Sequence, residues 1–263
     1  MIIDSFTHIL PSSYLQKIAS LPDEATRKRV EFYRQWIGKH PHTTDPVRRV
    51  ELLNKYNIDY QVVTLSHDLD CNVLPVAAKE QLEMAQAIND SLAKLMEQSQ
   101  GRLLGVGTVP LSILEDGGLK EMERAIKDLG LKGFCLASNL RGKPVDAPEF
   151  ASFWAKAAEM GVPIFIHPAN PQGQNDRPYE AQYDLIHVFG WPFETVLMLA
   201  RLVFSGIMEK HPNLKVVSHH LGGGYDPLPI WSHRGVIHSG ESGKGARQGT
   251  LETLERAVRA FLL

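Results

Sequence analysis

Histidines at the ends of short apolar runs are the residues of this chain best placed to do chemistry. His8 closes IIDSFTH ahead of Ile9-Leu10-Pro11, and His167 closes PIFIH ahead of Pro168. His219 and His220 close KVVSHH, just before Gly222-Gly223-Gly224. Neutral imidazole is the common ligand of catalytic zinc, and catalytic sites combine three protein ligands with one open position. An imidazole also titrates near neutral pH and can move a proton. A lone histidine at the end of a strand is an ordinary polar residue on a sheet rim. Three such sites in one kind of setting point to a metal or acid–base centre. His40, His42, His187, His211, His233 and His238 fall in loops or helices and read as surface or capping groups. Because strand side chains alternate, His219 and His220 should face opposite ways. The glycine turn directly after it assigns His220 to the interior, leaving His219 to packing or support.

The elements that must position these residues follow one pattern. A helix ends, a glycine or asparagine follows, and a short apolar strand begins: SQGRLLGVGTV, DLGLKGFCLAS, EMGVPIFIHP, KYNIDYQVVTL and HPNLKVVSHH. Glycine or asparagine just past a helix takes the left-handed cap, and a β-branched run after it reads as a buried parallel strand. Residues 2–6 form the first strand and 59–65 the second. Residues 12–44 read as an irregular helical insertion with a basic cluster at Arg27, Lys28, Arg29 and Arg34. Asp45-Pro46 opens a helix, aspartate as cap and proline at the first position. A long helix over about 76–100 ends at Gly101. Such alternation implies a parallel sheet covered by helices.

The first strand–helix turn lacks a glycine-rich phosphate fingerprint, which argues against a dinucleotide-binding sheet. A (β/α)8 TIM-type barrel brings all strand C-termini to one rim and would gather the histidines there. The expected fold is therefore α/β, a barrel of the metal-dependent hydrolase kind, in a single domain over residues 1–263. Six strands are recognisable. From about residue 225 the pattern breaks into an atypical tail, HRGVIHSGESGKGARQG, and a terminal helix around 251–262.

The chain is 43% hydrophobic and 22% charged with a formal net charge of -2, so nothing favours nucleic acid or an anionic membrane over a small molecule. Cys71 and Cys135 have no metal or redox spacing and read as reduced thiols of a cytoplasmic protein. The N-terminus lacks the basic and apolar segments of a signal peptide, and no run reads as long enough to span a membrane.

Four segments carry a resemblance to a known family: IIDSFTHILP, PIFIHPAN, FGWPFETVLMLARLVFSGIMEKHPNLKVV and SHHLGGG. In this order they resemble the amidohydrolase-related decarboxylases of the aminocarboxymuconate-semialdehyde decarboxylase type, a branch of the amidohydrolase superfamily. The resemblance implies a barrel that uses a divalent metal, zinc by expectation, to remove CO2 from a small unsaturated or aromatic carboxylic acid. It also implies a homodimer. In that family the first strand offers His-x-His or Glu-x-His to the metal. His8 matches the second member, whereas Phe6 stands at the first and cannot ligate. His167 matches the metal histidine of the fifth strand, and His220 the catalytic histidine before the glycines. The family's aspartate in a G-x-D-x-P context has no counterpart: Asp226, in GYDPLP, has other neighbours, and Arg234 is only a loose match to the arginine of the following helix. Arg34 is a candidate for binding a second substrate carboxylate, against the plainer reading of a solvated helix face. Three readings follow: a decarboxylase, a hydrolase opening a lactone or amide on the same scaffold, or an inactive relative. The last is favoured by Phe6 and the absent aspartate, and an expected loss of family likeness after about Gly224 points to a truncated or frameshifted chain.

Overall fold

Every strand expected from a helix, cap and β-branched run is present. A computed structural model describes residues 1–169, 183 and 185–224, the side chains of Leu221 and Gly224 excepted. The chain divides into two compact units, Met1–Cys135 and Leu136–Leu263.

In the first unit, β1 (Ile3–Ile9), β2 (Tyr60–Leu65) and β3 (Leu103–Gly105) form a parallel sheet in the order β1-β2-β3. β1 runs further than its sequence suggests, so His8 lies within the strand, opposite Thr64. The register shifts between Asp4 and Thr7, where β1 carries one residue more than β2. The insertion resolves into α1 (Ser12–Ala19), α2 (Glu24–Lys39) and a single 3-10 turn. Arg29 and Tyr33 of α2 reach the turn after β2: Arg29 donates to the Asp68 carbonyl, and the Tyr33 hydroxyl to Asp68 Oδ1 at 2.7 Å. α3 (Pro46–Lys55) opens as expected, with Asp45 accepting from the amides of Val47 and Arg48. α4 (Ala78–Gln98) buries Met84, Ile88, Leu92 and Leu95, one apolar face of a helix. α5 (Leu119–Lys127) leads into β4 (Phe134–Ala137), within which the boundary of the two units falls.

The second unit holds a sheet in the order β4-β7-β8, where β7 is Pro163–His167 and β8 is Lys215–Ser218. Between β4 and β7 lie a two-residue hairpin not expected from the sequence, β5 (Asn139–Leu140) and β6 (Lys143–Pro144), and α6 (Ala151–Met160). α6 ends at Gly161, whose φ of 64° is the left-handed cap read from the sequence. β7 and β8 are parallel, with Ile166 opposite Ser218. Ile164, Phe165, Ile166 and His167 are all buried, so both faces of β7 are covered.

A π-helical turn (Ile186–Gly190) runs into α7 (Trp191–Phe204), followed by α8 (Ile207–Lys210). The stretch Ile186–Phe204 is 19 residues long with mean hydropathy 1.3, which corrects the expectation that no run reaches membrane-spanning length. The reason is that the π turn and α7 join into one apolar helix, which the glycine at 190 hides. The tail from residue 225, with Asp226, His233, Arg234, His238 and the terminal helix, lies outside the described residues.

Candidate active site

In the first unit His8 is half-buried, and its surroundings fix its tautomer. Its Nδ1 lies 3.1 Å from Thr64 Oγ1, and that hydroxyl points its own donor at the Thr7 carbonyl at 3.4 Å. Thr64 therefore accepts, Nδ1 carries the proton, and Nε2 carries the lone pair a metal would use. The backbone around His8 is held from below. Arg49 of α3 is only 5% exposed and donates to the carbonyls of His8 (2.7 Å) and His42 (2.8 Å). Burial lowers the pKa of its guanidinium, which Asp4 partly offsets. Phe6 packs edge-on to the His8 ring with centroids 4.9 Å apart. The two side chains thus share a side of β1, and the position that would complete His-x-His is filled by a hydrocarbon ring.

In the second unit His167 is the centre of an aromatic cluster. It is 1% exposed, and its Nδ1 lies 2.6 Å from the carbonyl of Pro168. A carbonyl can only accept, so the proton again sits on Nδ1 and the lone pair on Nε2. The turn bearing that carbonyl is pinned. Ser138 Oγ accepts from the Ala169 amide (3.0 Å), and Asn139 Nδ2 donates to the Ala169 carbonyl (2.8 Å) and to the buried Glu194 of α7 (3.2 Å). Around His167 lie the rings of Trp191, His219 and His220, at 5.2, 5.3 and 5.0 Å between centroids.

The expectation that His219 and His220 face opposite ways is corrected by this geometry. β8 stops at Ser218, and His220 turns into the left-handed region with φ 53°. Alternation ends with the strand, so both rings come against His167. His219 is 1% exposed, while His220 is exposed and stacked on Trp191 at 5.4 Å with 4° between planes. Partial burial of the His220 ring lowers its pKa, with a smaller push from His187. His187 is exposed, as expected, yet its ring meets Trp191 edge-on at 4.3 Å. Gly223 has φ 80°, and a Cβ there would lie 2.6 Å from the Pro192 carbonyl. The glycine is required by close approach to the α7 backbone.

Arg34 lies on the exposed face of α2 with its guanidinium 4.0 Å from Glu31. Among the described residues, no group of three His, Cys, Asp or Glu side chains that could hold a metal ion is assembled. His8 and His167 individually fit a metal, because each is set in the Nδ1–H tautomer by an oxygen acceptor. Sequence reasoning missed Thr64, Arg49 and Trp191. For the first, the signal was a hydroxyl in the otherwise apolar core of QVVTL.

The model of the family described as amidohydrolase matches residues 3–250. The match continues past Gly224, so likeness to the family does not stop where the strand pattern breaks. The chain is 30% identical over 254 residues to a 2-amino-3-carboxymuconate-6-semialdehyde decarboxylase of Dictyostelium discoideum, covering 87% of this chain and 64% of that protein. It thus spans less than two thirds of that relative. Among solved structures it is similar to a 2,6-dihydroxybenzoate decarboxylase from Rhizobium, with TM-score 0.73, 21% identity, and 97% of this chain and 84% of the other covered. It is also similar to a 5-carboxyvanillate decarboxylase of Novosphingobium aromaticivorans, complexed with manganese and 4-hydroxy-3-methoxy-5-nitrobenzoic acid. There the TM-score is 0.69 at 25% identity, covering 89% and 68% of the two chains. These likenesses show the TIM-barrel type of fold that amidohydrolases share. Matched by the family model over most of its length, the chain belongs to the amidohydrolase family.

Proposed function

We propose that this chain is a metal-dependent decarboxylase acting on a small aromatic or unsaturated carboxylic acid. The observation that carries the reading is the pairing at the ends of β7 and β8. A buried His167, held in the tautomer of a metal ligand, lies 5.0 Å from an exposed His220. The relatives named as decarboxylases support the choice of reaction. His167 would hold the metal through Nε2, with His8 a candidate ligand in its own unit, and a bound divalent ion would supply charge stabilisation at the substrate carboxylate and an adjacent oxygen. Imidazole donors suit zinc, whereas the 5-carboxyvanillate relative holds manganese. His220 moves the proton. Loss of CO2 leaves an electron pair on carbon, which a proton from an imidazole nitrogen must satisfy, and a lowered pKa makes its imidazolium a stronger acid. Trp191, parallel to the His220 ring, keeps that ring in one plane.

The test begins with protein purified without chelator. Zinc and manganese are quantified by elemental analysis for the wild type and His167→Ala, and CO2 release is assayed with 2,6-dihydroxybenzoate and 5-carboxyvanillate. The expected result is metal lost in His167→Ala, and turnover lowered about 10²–10⁴-fold in His220→Asn. Equal metal in both proteins overturns the ligand assignment. Lactone or ester cleavage without CO2 release would transfer the chain to the hydrolases.

A further inference from the structure

The carbonyl that holds the His167 proton belongs to a peptide unit gripped at both ends. Pro168 supplies the oxygen, 2.6 Å from His167 Nδ1, and the amide of the same unit, on Ala169, donates to Ser138 Oγ at 3.0 Å. Ser138, directly after β4, also donates its own amide to the His167 carbonyl at 2.7 Å. Behind Ser138 stands Glu194 of α7. Its Oε2 lies 3.4 Å from Ser138 Oγ and 3.2 Å from Asn139 Nδ2, and that same Nδ2 reaches the Ala169 carbonyl at 2.8 Å. Asn139 is fixed in turn, because its Oδ1 accepts from the Gly142 amide at 2.8 Å. Ser138, Asn139, Glu194 and His167 are all more than nine-tenths buried.

The directions of these hydrogen bonds are forced. A backbone amide can only donate, and an ionised carboxylate can only accept. The Ala169 amide therefore takes a lone pair of Ser138 Oγ, and the Ser138 proton must leave toward Glu194 Oε2 or the Ala169 carbonyl. Asn139, with its oxygen facing Gly142, presents an N–H to the carboxylate. Once the amide end of the peptide unit is held, its carbonyl end is aimed at His167 Nδ1.

We infer that Ser138 and Glu194 are positioning residues for His167: they hold the peptide unit that keeps its proton on Nδ1 and its lone pair on Nε2. Their service to a metal ligand rests on the reading of function above, whereas the setting of the tautomer stands on this geometry alone.

The test is long-range proton–nitrogen NMR on the full-length, metal-free protein labelled at histidine nitrogen. It is run at about pH 8.5, above the range in which an ordinary imidazole titrates, and His167 is assigned by its signals vanishing in His167→Asn. The wild type should show Nδ1 protonated and Nε2 unprotonated. Glu194→Leu and Ser138→Ala should move both His167 nitrogens to intermediate shifts, the mark of mixed tautomers. The same two variants should lose about 10–100-fold in zinc affinity, read with a chelating dye. Glu194→Gln keeps an acceptor oxygen at the same reach and should retain the wild-type shifts. Leu202→Ala opens a cavity on the buried face of α7 and serves as the structural control, lowering the urea midpoint without moving His167. If Glu194→Leu fails to fold, Ser138→Ala still decides. Unmoved His167 nitrogens in either folded variant overturn the inference, as do equal shifts in Leu202→Ala or a wild-type His167 protonated on Nε2. Shifted nitrogens with unchanged zinc affinity uphold it and count instead against His167 as a metal ligand.

Discussion

Replacing Thr64 by valine would separate the support of His8 from its packing. Thr64 is fully buried, and its hydroxyl is the acceptor that holds the proton on His8 Nδ1 at 3.1 Å. Valine keeps the shape and removes the oxygen. For folding, the loss is one neutral hydrogen bond, a net of about 1 kcal/mol. In a chain of this size that lowers Tm by about 2–4 °C. For metal binding the loss is larger, because His8 can then place its proton on Nε2 and turn its ring. Removing such an outer partner of a ligating histidine costs about 10–100-fold in affinity, or roughly 1.4–2.7 kcal/mol. Thr64→Ser supplies the complementary control: it keeps the hydroxyl but deletes a buried methyl, costing about 0.5–1.5 kcal/mol of stability. Zinc and manganese affinity are measured by competition with a chelating dye, and stability by urea denaturation. The expected pattern is crossed, with valine losing metal affinity more than stability and serine the reverse. Valine binding metal as tightly as the wild type, or serine losing affinity as much as valine, would refute the tautomer argument.

Phe6→His should raise zinc affinity, since Phe6 and His8 already share a side of β1. A dye titration giving wild-type affinity in a folded variant would make Phe6 a packing residue instead. Arg49→Met leaves the buried carbonyls of His8 and His42 without their charged donor and should cost about 3–5 kcal/mol. A urea midpoint equivalent to less than about 1 kcal/mol would show that those carbonyls find other donors. Asp70→Asn should flatten the pH dependence of stability. Burial raises the Asp70 carboxyl pKa although Thr108 and Asn72 donate to it, so the folded state binds its proton more tightly than the unfolded chain. That contribution is complete below the unfolded value near 3.9 and is lost as pH rises through the raised folded value. Melts across about pH 4–6 that slope equally in the wild type and the variant would exclude Asp70 as the source.

Strands β2, β3, β4, β7 and β8 were legible because each is announced locally, by a glycine or asparagine past a helix and an apolar run after it. Gly161 at φ 64° and Asn57 at φ 54° show the conformation that the sequence pattern requires. The failures lie where a local rule was carried beyond the element that justifies it. Alternation holds for β8 only to Ser218, and the left-handed turn at His220 brings in a ring that alternation would have sent away. The register shift in β1 was equally hidden, because an extra residue leaves no mark in composition. Arg49 is a different case, since its signal was present. It stands four residues before the buried Leu53 on α3, on the face that packs inward, but an arginine in an amphipathic helix is read by default as solvent-facing. Trp191 could not have been found that way. Its place among His167, His187 and His220 depends on α7 returning its first turn to the ends of β7 and β8, where Gly223 permits contact with Pro192. The sequence therefore revealed the residues that could act at this site and left to tertiary packing the residues that hold them in position.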